Sequence, residues 1–446
     1  MPKNTKQKIK YSGVEWIGNV PENWRVQRLK SIVRATKNGA WGDDPKGNSN
    51  DIVCVRVADF DKENFGISLN KLTIRNVENH ENLLLEKNDL IFEKSGGGDL
   101  QLVGRVVLFN QDIKAITSNF LSTIRLKNEI ADPNFYYYLL KYYYNSSINY
   151  KSIKQTTGIQ NIDADAYFQE LVPLPNLSTQ KIISDYLDTK TEQIKTFIGD
   201  KKKLIALLEE QKKTIIYEAV TKGLDKDVKT KPSGVEWLGD IPENWELRKV
   251  TRIFERIGSG TTPNTSNKNY YNNGTIRWVN TGDLNDGYLV DCEKRITELA
   301  ILENPTLRTY HQNSLIIALY GATIGKLGIL TFDATVNQAC CVMSNTKVAE
   351  VKFIYYWFLI NKNNLIQMSY GGGQPNISQD IIRSLKIPLP SLLIQKTILD
   401  YLDIEIEKID QAISTVKQEI KLIEEYKKSL IYHAVTGKIE SLLTHK

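Results

Sequence analysis

The chain has 446 residues, room for two or three domains of ordinary size, each able to bury its own core. Hydrophobic residues at 41% and charged residues at 25% are globular proportions and exclude a largely disordered chain. A net charge of +6 permits an anionic partner without demanding one, and the polar, lysine-rich start from Met1 to Lys10 and the lack of any long apolar run argue against secretion or membrane spanning.

The first recognisable segment, Ser12 to Trp24 (S-G-V-E-W-I-G-N-V-P-E-N-W), returns as Ser233 to Trp245, displaced by 221 positions with conservative differences only. Between the copies come short apolar runs broken by Gly, Asn and Asp: Asp51 to Val57, Asp89 to Phe92, Val103 to Phe109 and Thr123 to Leu126. These predict strands and turns. An aromatic stretch from Asn134 to Tyr144 predicts a helix, and its Tyr and Phe residues are read as core in preference to base-stacking platforms. A P-L-P boundary at Pro173 to Pro175 then opens a proline-free stretch from Ser178 to Thr221, which predicts one long helix.

The second copy repeats this order. Strands are predicted at Thr275 to Val279, Leu315 to Leu319 and Leu327 to Phe332, a helix over Val351 to Asn361, and a long helix over Ser391 to Thr436. Pro173 returns as Pro388 and Asp185 as Asp400, a displacement of 215. In the drifted middle, Val55 to Phe60 corresponds to Val279 to Leu284, which makes Asp59 and Asp283 equivalent. The ends of the unit are nearly copied while its centre has diverged.

Leu402, Ile409, Ile413, Val416, Ile420, Ile423 and Leu430, with Ile406 and Lys427 between them, step by three and four along the second long helix, the apolar seam of a coiled coil. Leu187, Ile194, Ile198, Ile205, Leu208 and Ile215 form the corresponding seam on the first. A helix of roughly 40 residues spans about 60 Å, too long to bury its stripe in one domain, so each is expected to pack antiparallel on the other. The expected fold is α+β and internally duplicated, with two mixed α/β domains separated by two long helices. Its divisions are residues 1–176, the helix 177–222, residues 223–390, and a second helix with tail over 391–446.

The loops of each copy combine glycine, which lets backbone approach a ligand closely, with amide, hydroxyl and basic side chains. Candidate nucleic-acid contacts in the first are Lys37, Lys46, Ser95, Arg105, Asn119, Lys154, Gln155 and Gln160. Those in the second are Ser259, Thr261, Thr262, Tyr320, Thr323, Lys326, Asn337, Gln338, Gln374 and Asn376. Asn and Gln suit adenine, Arg and Lys suit guanine, and hydroxyls suit phosphates. The same composition also makes plain turns.

Nothing in the chain reads as catalytic machinery. Gly321 to Lys326 (G-A-T-I-G-K) is one residue short of a phosphate loop and lacks the hydroxyl that follows its lysine. Asp132-Pro133-Asn134-Phe135 lacks the second proline of an amino-methyltransferase signature. His80, His311, His433 and His445 stand singly, and Cys54, Cys292, Cys340 and Cys341 form no C-x-x-C spacing, so reduced thiols and no metal are expected.

The duplicated order of S-G-V-E-W and P-E-N-W start, variable middle and P-L-P exit into a long helix resembles the specificity (S) subunit of Type I restriction-modification systems across essentially the whole chain. The first copy departs from it, with Lys94-Ser-Gly-Gly-Gly98 where the second has G-A-T-I-G-K. The resemblance implies a cytoplasmic, non-catalytic DNA-binding subunit whose two target recognition domains each read half of a bipartite double-stranded site, the helices fixing the spacer. It further implies two methyltransferase (M) subunits and, in the full complex, restriction (R) subunits as partners. S-adenosylmethionine, ATP and Mg²⁺ would belong to them, leaving this chain without a cofactor. The alternatives are a single-chain methyltransferase or nuclease with an unrecognised site, and a coiled-coil scaffold.

Overall fold

Each copy begins with a segment that folds on itself. In the first, Ser12 N donates to Gly18 O and Gly18 N to Val14 O, while strand Ile9–Tyr11 pairs antiparallel with Asn19–Pro21. Gly18 sits at φ +66, where a side chain would be strained. The second repeats it: Ser233 N donates to Gly239 O, and Thr230–Pro232 pairs with Asp240–Pro242. The P-E-N-W turn that follows buries Trp24 and Trp245 in the two largest hydrophobic clusters. A computed structural model describes residues 8–61, 66–68, 70–97, 102–156, 158–368 and 376–439.

The chain forms two compact units, Met1–Lys201 with Gln418–Lys446, and Lys202–Lys417. The globular part of each is called here a head. In the first head the P-L-P strand Leu171–Leu174 pairs antiparallel with Arg25–Arg28, placing Pro173 opposite Val26. In the second, Lys386–Leu389 pairs with Glu246–Lys249 in the same register, Pro388 opposite Leu247. Proline is tolerated because each sheet has two strands, leaving one edge without ladder bonds to lose.

The larger sheet of the first head has the order Val33–Asn38, Leu121–Leu126, Asp89–Glu93, Val106–Phe109, all antiparallel. Its counterpart has Arg256–Gly258, Cys340–Ser344, Leu315–Ala318, Leu327–Leu330, with Gly287–Leu289 added in parallel at the edge. Leu121–Leu126 and Cys340–Ser344 are buried along their whole length. A smaller sheet pairs Asp51–Val55 in parallel with Ala115–Thr117, and Ile276–Val279 with Thr335–Val336.

The aromatic helices Pro133–Asn145 and Val351–Ile360 supply core, as expected: Phe135, Tyr136 and Leu139 in one, Phe353, Trp357 and Phe358 in the other. Asp132 is the N-cap of the first, its Oδ1 accepting from Phe135 N at 2.8 Å with Pro133 at the first helical position. That accounts for the D-P-N-F string without any cofactor. All four cysteines are free and buried. No described helix is long and apolar enough to cross a membrane.

The long helices run Leu177–Lys222 and Leu392–Val435, each contributing to both units. In the first unit Leu187 and Ile194 share a cluster with Leu430, Ile431 and Ala434, and Lys201 reaches Glu419 at 2.7 Å. In the second, Ile216 and Ala219 share one with Ile398 and Leu402, and Lys212 reaches Asp410 at 2.8 Å. Within each unit rising numbers on one helix meet falling numbers on the other, the antiparallel arrangement. All seam residues named above are buried or half-buried, whereas Leu204, Leu207, Ile404 and Leu422, off the seam, are exposed.

Both helices end in left-handed glycines, Gly223 at φ +82 and Gly437 at φ +73. A Cβ on Gly437 would lie 2.5 Å from Pro21 Cδ, so only glycine closes this end against the P-E-N-W turn. Ile409→Ala is expected to cost about 2 kcal/mol, the low end for a buried Ile, because a two-helix seam relaxes more readily than a domain core. A urea melt of the full chain measures it.

Candidate nucleic-acid interface

Three turns converge at one end of each head. In the first, Asp59 Oδ2 accepts from Arg56 N at 2.8 Å and Asp59 Oδ1 from Arg56 Nη2 at 2.9 Å, closing a turn at Val57–Asp59. Asp283 Oδ2 closes the equivalent turn by accepting from Asn280 N at 2.7 Å. The two aspartates matched in the sequence therefore have the same task, and the variable residue beside each is Arg56 or Asn280.

The second turn is pinned to the small sheet: Ser118 N donates to Val55 O at 2.8 Å and Asn337 N to Val279 O at 3.0 Å. This makes Ser118 equivalent to Asn337 and Asn119 to Gln338. The third follows the central strand. Ile162 N donates to Lys94 O and Ile377 N to Leu319 O, both at 2.8 Å, while Asn161 pairs with Ser95 and Asn376 with Tyr320. Ser95 and Tyr320 thus occupy one place.

In the first head these turns surround a cleft of about 410 Å³ lined by Trp41, Arg56, Glu93, Ser95, Ser118, Asn119 and Phe120. A second hollow, of about 470 Å³, adjoins it through Ser95 and Asn119 and takes in Asn38, Lys94 and Asn161. Lys94 Nζ donates to Asn38 Oδ1 at 2.9 Å, and burial holds its pKa below the usual lysine range. Among the sequence candidates, then, Ser95 and Asn119 come together. Lys37 lies on the neighbouring strand opposite Thr123, half-buried. Lys46 is exposed and paired with Asp43 at 3.0 Å. Lys154 and Gln155 stand exposed on the hairpin Ile153–Thr156 and Ile159–Ile162, with Lys154 2.6 Å from Asp163.

Arg105 and Gln160, expected as loop contacts, are both buried. Gln160 Oε1 accepts from Val103 N at 3.2 Å, so the amide read as a base contact holds the loop beneath the cleft.

In the second head several candidates are tied by side-chain hydrogen bonds, to one another or to neighbours. Thr262 Oγ1 donates to Gln338 Oε1 at 2.6 Å, Asn337 Nδ2 to Asn280 Oδ1 at 3.1 Å, and Gln379 Nε2 to Ser259 Oγ at 2.5 Å. Thr261 contributes its carbonyl, which accepts from Trp278 Nε1 at 3.2 Å. Thr323 and Lys326 belong to the turn that follows Leu315–Ala318, Lys326 N donating to Thr323 O at 2.9 Å. That turn feeds a strand rather than a helix, so G-A-T-I-G-K lacks the helix N-terminus a phosphate loop requires. Gln374 lies outside the described residues.

Sequence reasoning missed Arg56, Asn280, Glu93, Trp41 and Phe120. The repeat alignment carried a signal for the first two, as variable positions three residues before a matched aspartate. It carried none for Glu93, which ends a run that reads simply as a buried strand.

Two matching sets of turns, carrying different side chains on corresponding backbone hydrogen bonds, are what a protein with two related binding faces requires. The family described as the Type I restriction modification DNA specificity domain matches residues 21–206 and again 242–425. The chain belongs to that family. Among its relatives, the type I restriction enzyme MjaVIII specificity subunit of Methanocaldococcus jannaschii is 26% identical over 435 residues, covering 94% of both chains. The EcoBI specificity subunit of Escherichia coli is 21% identical over 452 residues, 98% of this chain and 90% of that one. A chain from a solved type I R-M system superposes with a TM-score of 0.73 at 17% identity, covering 94% of this chain and 99% of its own. The HsdS subunit of Thermoanaerobacter tengcongensis gives 0.57 at 18%, covering 94% and 98%. At those identities the solved structures bear on the specificity-subunit fold alone.

Proposed function

We propose that this specificity subunit directs a type I restriction-modification complex to a bipartite site on double-stranded DNA, each head reading one half. The carrying observation is the shared frame with drifted contents: Arg56 against Asn280, Ser118 against Asn337, Asn119 against Gln338, Ser95 against Tyr320, on matching hydrogen bonds. Amide and guanidinium side chains read base edges, and exchanging them changes the bases preferred without changing the scaffold.

On this reading the helix pair sets the number of unread base pairs between the halves and offers its outer faces to two methyltransferase subunits. Those subunits bind S-adenosylmethionine, and ATP and Mg²⁺ serve the restriction subunits. On the same reading the chain itself transfers and cuts nothing, which is supported by its Asp132 string being a helix cap and its G-A-T-I-G-K string a strand turn. A net charge of +6 suits a subunit that shares its grip on the phosphate backbone with partners.

The test is to express the chain with its methyltransferase partner and map methylated adenines across the host genome. A bipartite sequence is expected. Substituting Asn337→Ser together with Gln338→Asn, the residues of the first head, should change or relax one half of that sequence, at about 1–3 kcal/mol for each bidentate base pairing removed, and leave the other half unaltered. Equal loss at both halves, or methyl transfer from labelled S-adenosylmethionine by the chain alone, would refute the assignment.

A further inference from the structure

The first head buries a carboxylate for which the scaffold has no use. Glu93 closes the central strand Asp89–Glu93 with 1% of its surface exposed; the Arg105 backbone N–H and charge bear on its carboxylate, but neither oxygen has a partner at full hydrogen-bond geometry among the described residues. The Ser118 hydroxyl, lining the same cleft, is likewise buried and unpartnered. Buried polar atoms left unpaired cost free energy, so a fold carries them where something else pairs them. The fold does not demand them: the second head has Ala318 and Asn337 at the equivalent places, and Asn337 is satisfied by Asn280.

The surroundings fit a flat, amine-bearing ligand. A cleft of about 410 Å³ is of small-ligand size. Trp41 and Phe120 are partly exposed and line it, giving the cleft an apolar border. Glu93 Oε1 is behind Gly96, where even a Cβ would sit 3.7 Å away, so no side chain of that residue bars the approach. Burial pushes the Glu93 carboxyl up to about 6, with the Arg105 charge and backbone N–H pulling it back down; in its ionised form it is a pure acceptor. Of the four bases, cytosine and adenine offer an amino donor on the major-groove edge, whereas guanine and thymine offer acceptors that a carboxylate repels.

We infer that this cleft is a base-selecting pocket of the first half-site, in which the exocyclic amino group of a cytosine or adenine donates to Glu93 and the Ser118 hydroxyl pairs with a neighbouring atom of the same base. The inference rests on the DNA-reading function proposed above.

Methylation maps separate the two. The wild-type complex should give a bipartite sequence with a cytosine or adenine required at one position of one half, and Glu93→Gln should relax that position alone. In duplex binding by the assembled complex, deleting the amino group from that base should weaken wild-type binding about tenfold to hundredfold, the worth of a hydrogen bond to a charged group, and hardly affect Glu93→Gln. A Glu93→Gln map identical to wild type overturns the pocket while leaving the function standing. Absence of any bipartite wild-type sequence overturns the function itself. Should Glu93→Gln lose both halves through misfolding, Ser118→Ala decides: weakened choice at one position of one half supports the pocket, and an unaltered map overturns it.

Discussion

Replacing Asp89 with alanine is expected to lower the stability of the first head by about 3–4 kcal/mol, because it strips a buried cation of its main partner. Arg125 and Asp89 form a two-pronged pair across adjacent strands, Nε to Oδ1 at 2.8 Å and Nη2 to Oδ2 at 3.0 Å, with side chains 9% and 3% exposed. Arg125 Nη2 also donates to Leu84 O at 2.7 Å, and Asp89 Oδ2 accepts from Glu86 N at 2.7 Å, so the pair staples the loop before the strand. Glu86 approaches the guanidinium at 2.6 Å but is more than half exposed and compensates only in part. Register puts Ser314 and Ser344 at these places in the second head, where Ser314 Oγ donates to His311 O at 2.6 Å and no charge is buried. The scaffold therefore tolerates a neutral solution. The double replacement Asp89→Ser, Arg125→Ser should recover part of what Asp89→Ala alone loses, since leaving one ion unpaired is worse than removing both. Denaturant melts of the two variants measure the difference; a double variant as unstable as the sum of its singles would show that the charges do not act as a pair.

How much of this was legible follows from where each constraint lies along the chain. The repeated start ending in Trp24 and Trp245, the P-L-P boundaries and the helix seams show in the sequence because each is written locally: a copied string, a proline boundary, a helical period. The seven apolar runs became strands with ends displaced by a few residues, Val103 to Phe109 shortening to Val106–Phe109 because Gly104, at φ +106, packs against Asn149 ahead of the strand, while Val33–Asn38, Arg256–Gly258 and Cys340–Ser344 were not read as strands. What stayed hidden is pairing at long range between ordinary residues. Asp89 and Arg125 are 36 positions apart with no period linking them. Arg105 and Gln160 read as exposed loop residues because of the composition around them, and their burial is something that composition does not encode. Glu93 was invisible for the opposite reason, a charged residue ending an apolar run, where only the sheet shows that both faces are covered. The hairpin Ile153–Thr156 with Ile159–Ile162, paired to the short strand at Ser95–Gly96, has no full counterpart among the described residues of the second head, and the divergence of K-Q-T-T-G-I-Q from its partner segment hinted at no more than a loop.

One duplicated residue passed unremarked in the sequence and should prove among the costliest to remove. Gln180 and Gln395, 215 positions apart in the first turns of the two long helices, are fully buried and make the same three bonds. Gln180 Oε1 accepts from Asp132 N at 2.7 Å, and its Nε2 donates to Ile130 O and Pro175 O, both at 2.8 Å. Gln395 does the same with Glu350 N at 2.8 Å, Val348 O at 3.0 Å and Pro390 O at 2.8 Å. Each ties three parts of its head together: the start of the long helix, the P-L-P exit, and the loop that caps the aromatic helix. Alanine at either place orphans one backbone N–H and two carbonyls away from water, and at about 1–3 kcal/mol for each unmet group, less what an entering water restores, the expected loss is about 3–5 kcal/mol. Glutamate should do nearly as badly, since its carboxylate keeps the acceptor but cannot donate to either carbonyl. Because the two sites share their geometry, Gln180→Ala and Gln395→Ala should cost nearly the same, and hydrogen exchange at the Asp132 and Glu350 amides should quicken only in the variant that loses its own glutamine. A loss below about 1 kcal/mol, the worth of a single ordinary hydrogen bond, would mean that packing of Leu187 and Leu402 alone seats each helix on its head, and that the register between reading surface and rod is set by contact rather than by these three bonds.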